Sequence, residues 1–326
     1  MRGLIKISLL IAVAVLLIGC SKSPSDGTNY SDGGPEVAPD SSPAIKDRLA
    51  LEAGLKKIVY HVGPVDIPRG LKSEDMLEKP LIMTFQTDEP VWLVGFSPRV
   101  VDANGSKLPS ELLHSAIMSN LHEENPLCSD AGGGNPFAAA TSMLTEIELP
   151  QGYGYPILST DPLEARVVLQ NGSSESYVDV YFELTMLVKP MSEMTKLKDV
   201  KPMLIEIDPC THEAADVAPG KFVEFNATYE VPDDANLIVA HGLLESYGST
   251  VELVARDEAT PFWSADANLD EEHRIVSLEG DPFEDSQGVF FKEGDAITMD
   301  ISYDNSSDEW LDGVTAAAMV YLAVQE

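Results

Sequence analysis

The stretch AHGLLESYG (residues 240–248) places His241 and Glu245 four residues apart within a largely apolar run. On an extended strand, positions 241, 243 and 245 share one face. An imidazole and a carboxylate there could form a weak His/carboxylate metal site, such as one for zinc. The bland alternative is an exposed polar pair on an ordinary strand. His114, in LLHSAIMSN, is the other imidazole set in an apolar strand-like run. His61 and His212 stand at strand or loop edges, and His122 and His273 sit among acids and read as solvated surface. The segment DANLDEE offers Asp266, Asn268 and Asp270 as a loop hint for calcium. It lacks the sixth-position glycine and has Ser277 where the twelfth-position glutamate belongs, so it is not an EF-hand. No Gly-x-Ser-x-Gly elbow, phosphate loop or HExxH occurs, which leaves hydrolase and nucleotide readings without support. The methionines, including Met118, Met143, Met186, Met194, Met203 and Met319, lie in apolar runs and read as core filler.

The N-terminus has Arg2 and Lys6, an apolar run over 7–18, then Gly19-Cys20. A basic start, a short apolar region and a small residue at the cut make a secretory leader. The run is shorter than the ~20 residues that a spanning helix needs. Leu17-Ile18-Gly19-Cys20 resembles the bacterial lipobox, which implies a signal peptide over 1–19 and lipid attachment at Cys20. Ser21 next to it implies sorting to the outer membrane of a Gram-negative bacterium. Residues 20–43, rich in Ser, Gly, Pro and Asp, read as a flexible tether.

The net charge is −33, and removal of the leader takes away two bases and no acid. That excludes nucleic acid and anionic headgroups as partners; the expected membrane contact is the lipid anchor. Cys128 and Cys210 remain after lipidation, and in an oxidising compartment they are candidates for a disulfide.

Short β-branched and aromatic runs bounded by Gly, Pro, Asn and Asp dominate the rest: LIMTFQT, VWLVGFSPRVV, YVDVYFELTMLV, NLIVAHGLL, AAAMVYLAV and several more. Helical periodicity is suggested only over 46–58. The pattern predicts an all-β sandwich protein of two domains, 44–200 and 201–326.

Several stretches, in order, resemble the type II copper, ascorbate-dependent monooxygenases, the family of peptidylglycine α-hydroxylating monooxygenase and dopamine β-monooxygenase. They are VWLVGFSPRVV with LLHSAIMSN, then LCSDAGGG, ELPQGYGYPI and VVLQN, then VAPGKFVEFNATYEV, HGLLESYG, SSDE and AAAMVYL. The resemblance covers about 60–326 and implies two tandem jelly-roll β-sandwich domains with a copper centre in each.

Carried over by position, most copper ligands are replaced. The adjacent histidine pair becomes His114-Ser115, or Leu113-His114 in the neighbouring register. The third histidine falls at Gly172. The His-x-His becomes Leu243-Leu244-Glu245, and the methionine falls at Trp310 or at Val314. The resemblance therefore implies a non-catalytic scaffold, lacking copper, that binds a partner protein or small ligand between the domains. The alternative is a divergent copper enzyme or copper-binding protein with a remodelled site at His114, His241 and Glu245, joined by Met319 if its strand turns it inward.

Overall fold

The computed structural model describes residues 54–325 apart from 74–75, 77–78, 129–132, 145, 193–195, 208–214, 256–257, 259 and 272. Cys20, the leader and tether, Cys210, Met194 and His212 lie outside the described residues.

The first half contributes β1 (Lys56–Ile67), β2 (Leu81–Phe85), β3 (Val91–Val101), β4 (Leu113–Asn120), β5 (Asn135–Ala140), β6 (Ile147–Glu148), β7 (Tyr153–Ile157), β8 (Leu163–Leu169) and β9 (Tyr177–Pro190). One sheet runs β1-β9-β3-β7, with β6 also on β3, and the other runs β2-β8-β4-β5. The second half contributes β10 (Lys198–Glu206), β11 (Ala215–Val217), β12 (Lys221–Glu230), β13 (Ala235–Leu244), β14 (Gly248–Ala255), β15 (Trp263–Leu269), β16 (Ile275–Glu279), β17 (Phe283–Phe291), β18 (Ala296–Asn305), β19 (Leu311–Val314) and β20 (Ala316–Val324). Its sheets run β10-β20-β13-β17 and β12-β18-β14-β15-β16, with β11 paired to β19.

Both halves wrap in the same way. Counting the main strands of each half in chain order, one sheet holds first, eighth, third and sixth; the other holds second, seventh, fourth and fifth. That is the double Greek key of a jelly roll. The protein is all-β, two tandem jelly-roll sandwiches. The parallel pairing Lys198↔Tyr153 and Asp199↔Gly154 joins β10 to β7, so one sheet of each half merges into a nine-stranded sheet.

Burial pattern follows position in this sheet. The apolar run of β20 is buried along nearly its whole length. Ala317, Met319, Tyr321 and Ala323 enter the core of the first half, and Ala316, Ala318, Val320 and Leu322 enter that of the second. A strand covered on both faces needs apolar residues at every position, and each large side chain so buried contributes roughly 1.5–3 kcal/mol. Tyr321 shows how its one polar atom is satisfied: its hydroxyl donates to the Phe137 carbonyl of β5 at 3.0 Å. By contrast β12 mostly alternates half-buried and exposed positions, with Ala227 its one buried residue, as a strand with one wet face does.

A turn is repeated at the same place in both halves, just after the seventh strand. Asn171 is 1% exposed and Asn305 0%. Each Nδ2 donates to a carbonyl four residues on, Glu175 at 2.8 Å and Glu309 at 2.8 Å. Each Oδ1 accepts from the hydroxyl two residues on, Ser173 at 2.7 Å and Ser307 at 2.7 Å. Each amide also reaches across to an earlier segment, Asn171 to the Pro68 carbonyl at 3.1 Å and Asn305 to the Val217 carbonyl at 2.9 Å.

Two sequence expectations need correction here. The helical hint over 46–58 fails at its end, because Lys56–Ile58 already belong to β1, paired with β9. Ladder hydrogen bonds from the distant β9 override a weak local periodicity. The supposed calcium loop is also a strand: Asp266–Leu269 belong to β15 and pair with β16.

Candidate binding groove

His114 is the second residue of β4, and the pairing of β4 with β8 shifts register between Leu113 and Ser115. A bulge at that point bends the strand and re-aims a side chain. Glu245 follows the end of β13. His114 Nε2 lies 3.2 Å from Glu245 Oε1, with the two side chains 16% and 26% exposed. The contact joins the two jelly rolls. Thr315 completes the shell of Glu245, donating from its hydroxyl to Oε1 at 2.8 Å and from its backbone N–H to Oε2 at 3.2 Å. Glu245 thus receives three contacts, one from His114 and two from Thr315.

His114 and Glu245 line a groove of about 320 Å³, together with Met143, Gln170, Tyr247 and Trp310. A neighbouring cavity of about 570 Å³ shares Ser73, Glu111, Gln170, Ser246 and Arg274 with it and extends to Gly172. Arg274 is held by Asp270, with Nε 2.8 Å and a terminal nitrogen 2.7 Å from the carboxylate. Trp310 is 60% exposed. Gly172 lies in one asparagine turn and lines the second cavity, while Trp310 directly follows the other turn and lines the first.

The other sequence candidates are dispersed. Ser115 is half-buried on β4, opposite Val168. Leu243 packs against the first core. Val314 is buried and lines the groove. The idea of an exposed His241–Glu245 pair fails: His241 is 0% exposed and stands opposite Met319 of β20. Neither of its ring nitrogens has a hydrogen-bond partner among the described residues. Burial pushes its pKa down to about 3, so it is neutral. The N–H of the adjoining Gly242 is donated to Asp281 Oδ1 at 2.8 Å. Gly242 itself faces the other way, where a Cβ would meet Val251 Cγ1 at 2.7 Å. Met319, 0% exposed, is likewise core.

The other described histidines have partners. His61 Nε2 is 3.1 Å from Glu183, His122 Nδ1 is 3.2 Å from Asp161, and His273 stacks on Tyr247 with centroids 4.8 Å apart. Among the described residues, no group of three or more His, Cys, Asp or Glu converges as metal ligands would. Sequence reasoning missed Met143, Gln170, Tyr247 and Arg274. Of these only Gln170 had a sequence signal, the Asn-x-Ser-x-Glu spelling beside it at 171–175, which resurfaces at 305–309.

No protein family and no curated protein matches the chain. Among solved structures it is similar to the STIV MCP, with a TM-score of 0.37 and 11% identity over 82% of this chain and 97% of that one. It is also similar to a chain of Sulfolobus Turreted Icosahedral Virus (TM-score 0.36, 10% identity, 83% and 90% covered). A third is PBCV-1 VP54, fitted into a reconstruction of the virophage Sputnik (TM-score 0.30, 6% identity, 82% and 93% covered). At these scores the likenesses carry no argument.

Proposed function

We propose that the chain is an exported lipoprotein, anchored through Cys20, whose two jelly rolls resemble the type II copper monooxygenase scaffold and whose groove binds a partner or small ligand without copper chemistry. The observation that carries this reading is a convergence. His114, Gly172, Glu245 and Trp310 stand where the family resemblance puts copper ligands, and all four line two adjoining cavities between the jelly rolls.

The donors there do not fit the family's metal. A copper centre of this kind needs two or three imidazoles, or two with a thioether. Here one imidazole is engaged by a carboxylate that already serves Thr315. Gly172 and Trp310 supply no donor to copper. No catalytic step is derived through copper. What remains is a polar groove with an exposed indole, the composition of a recognition site.

A second reading rests on Met143, whose thioether lines the same groove as His114 and Glu245. A thioether, an imidazole and a carboxylate would make a remodelled, weaker metal site. It replaces the combination with His241 and Met319, which the core removes.

The pairing of Cys128 with Cys210 also stands as a proposal. Cys128 is 6% exposed, and Cys210 is the other cysteine outside the leader junction.

Metal content of the full chain, after incubation with copper(I), copper(II) or zinc and desalting, tests the two readings. The binding-groove reading expects less than about a tenth of an equivalent of any metal, since one imidazole and one carboxylate hold metal weakly. Retention of about one equivalent, lost in His114→Ala, would transfer the argument to the remodelled copper site.

A further inference from the structure

The dipeptide Asn-Gly occurs twice in the chain, at 104–105 and at 171–172. An asparagine followed by glycine can react with its own backbone. The glycine nitrogen loses its proton to solvent and attacks the side-chain Cγ, closing a five-membered succinimide. The bond from Cγ to the side-chain nitrogen breaks, and that nitrogen takes up a proton and leaves as ammonia. Water then opens the ring at one carbonyl or the other, giving aspartate or isoaspartate. The balance is a water consumed and an ammonia released, with no change of oxidation state. Glycine favours the closure because no Cβ obstructs the approach of its nitrogen.

Asn171 is held away from this reaction. It is 1% exposed. Its Nδ2 donates to the carbonyls of Ile67, Pro68 and Glu175, and its Oδ1 accepts from the N–H and the hydroxyl of Ser173. Turning Cγ toward the Gly172 nitrogen breaks these bonds together, in a place closed to water. Gly172 is no obstacle: it is exposed, and a Cβ there would meet nothing within 4 Å. The protection lies in the asparagine.

Asn104 has the opposite setting. Ala103, Asn104, Gly105 and Ser106 are all exposed, in a turn after β3 that Lys107 closes by bridging back to Val101. Gly105 sits at φ +76° with nothing within 4 Å of where a Cβ would stand. The Asn104 amide makes a single long contact, from Nδ2 to Asp102 Oδ2 at 3.5 Å. The Gly105 N–H donates to the Asp102 carbonyl at 2.9 Å, and the N–H groups of Asn104 and Ser106 donate to Asp102 Oδ1 at 2.8 Å each. The Gly105 nitrogen must leave its carbonyl before it attacks. Water can replace that bond at an exposed turn, and such local opening costs far less than opening a core.

We propose that Asn104 is a self-modifying site. In the folded protein it converts to isoaspartate and aspartate through a succinimide formed with Gly105, while Asn171, with the same neighbour, is spared by its turn. Conversion puts a carboxylate beside Asp102 in place of a neutral amide. Isoaspartate also lengthens the backbone of the turn by a carbon atom.

Peptide mapping by mass spectrometry tests this on the full chain, incubated in mildly alkaline buffer with and without urea. In the folded chain, conversion at Asn104 should run at least about tenfold faster than at Asn171, since only the latter must break buried hydrogen bonds. In urea the two rates should come within about threefold, because neither asparagine keeps its folded surroundings. The product at Asn104 should appear as two separable peptides of equal mass, the aspartyl and isoaspartyl forms. Asn104→Gln lengthens the side chain and disfavours the five-membered closure, and at an exposed turn it is expected to fold. Ion exchange of that variant should lack the first acidic species that the parent accumulates. Equal rates at the two sites in the folded chain would overturn the proposal. So would an Asn104 that stays intact while the urea-unfolded chain converts, or a first acidic species that persists unchanged in Asn104→Gln.

Discussion

His114 on β4 and Glu245 after β13 meet at 3.2 Å although they belong to different jelly rolls. With both side chains largely shielded, a double-mutant cycle using His114→Gln and Glu245→Gln should report a favourable coupling of about 1 kcal/mol in chemical denaturation. A coupling indistinguishable from zero would mean that the contact joins the halves geometrically but not energetically. Glu245→Ala should cost more than Glu245→Gln, because it also strips Thr315 of its acceptor.

Trp310 provides a spectroscopic handle on the groove. Of the three tryptophans, Trp92 is 8% and Trp263 5% exposed, against 60% for Trp310. Acrylamide should therefore quench one component of the fluorescence strongly, and Trp310→Phe should abolish that component. A ligand entering the groove should protect it. Unchanged quenching in Trp310→Phe would place the accessible indole elsewhere.

His241 carries two buried nitrogens without hydrogen-bond partners among the described residues, and burial pushes its pKa down to about 3. In the unfolded chain the imidazole takes up a proton below about 6.5 while the folded chain does not. Its contribution to stability is therefore full above about pH 6.5 and is lost as pH falls from there toward 3. His241→Leu should remove this acid-sensitive limb and stabilise the fold by roughly 1–3 kcal/mol, since two unpaired buried polar atoms disappear. Denaturant midpoints across pH 4–8 would check both statements.

Asp281 shifts the opposite way. Burial raises its carboxyl to about 7, despite the Gly242 N–H that favours the ionised form. Between about pH 4 and 7 the unfolded carboxyl is ionised while the folded one keeps its proton, so stability falls as pH rises through that window. Asp281→Asn preserves an acceptor for Gly242 and cannot ionise. Its stability relative to the parent should grow from pH 4 to 8, and a flat difference would contradict the buried-carboxyl account.

Asn171 and Asn305 both fit the glycosylation signal, yet both amides are consumed inside their turns. In a host that glycosylates exported chains, folded protein should carry glycans at the exposed Asn104 and Asn226 and none at these two. Asn171→Ala and Asn305→Ala should each destabilise by about 2–4 kcal/mol, the cost of breaking several buried hydrogen bonds at once.

Much of the architecture was legible along the chain. VWLVGFSPRVV and AAAMVYLAV are apolar at nearly every position because β3 and β20 are covered on both faces. NPFAAA and YGYPI were not legible as β5 and β7. Pro, Gly and Ala have weak strand preference, and those strands are held by pairing with β4 and β3. The candidate site divides in the same way. His114 could be singled out by its setting, but its bulge, and the thioether of Met143 nearby, depend on how β4 lies against β8.

The stretch at 240–248 shows where the division falls. Its sequence determined a strand and, through the period of two, put His241 and Leu243 on one side and Gly242 on the other. Whether that first side faced water or a second sheet depended on the packing of β13 and β20 against the first jelly roll, and the packing buried it. Local pattern sets which residues share a face, because that follows from backbone geometry alone. What covers the face is decided by strands more than a hundred residues away, and so the tertiary structure alone placed His241 in the core and Glu245 in the groove.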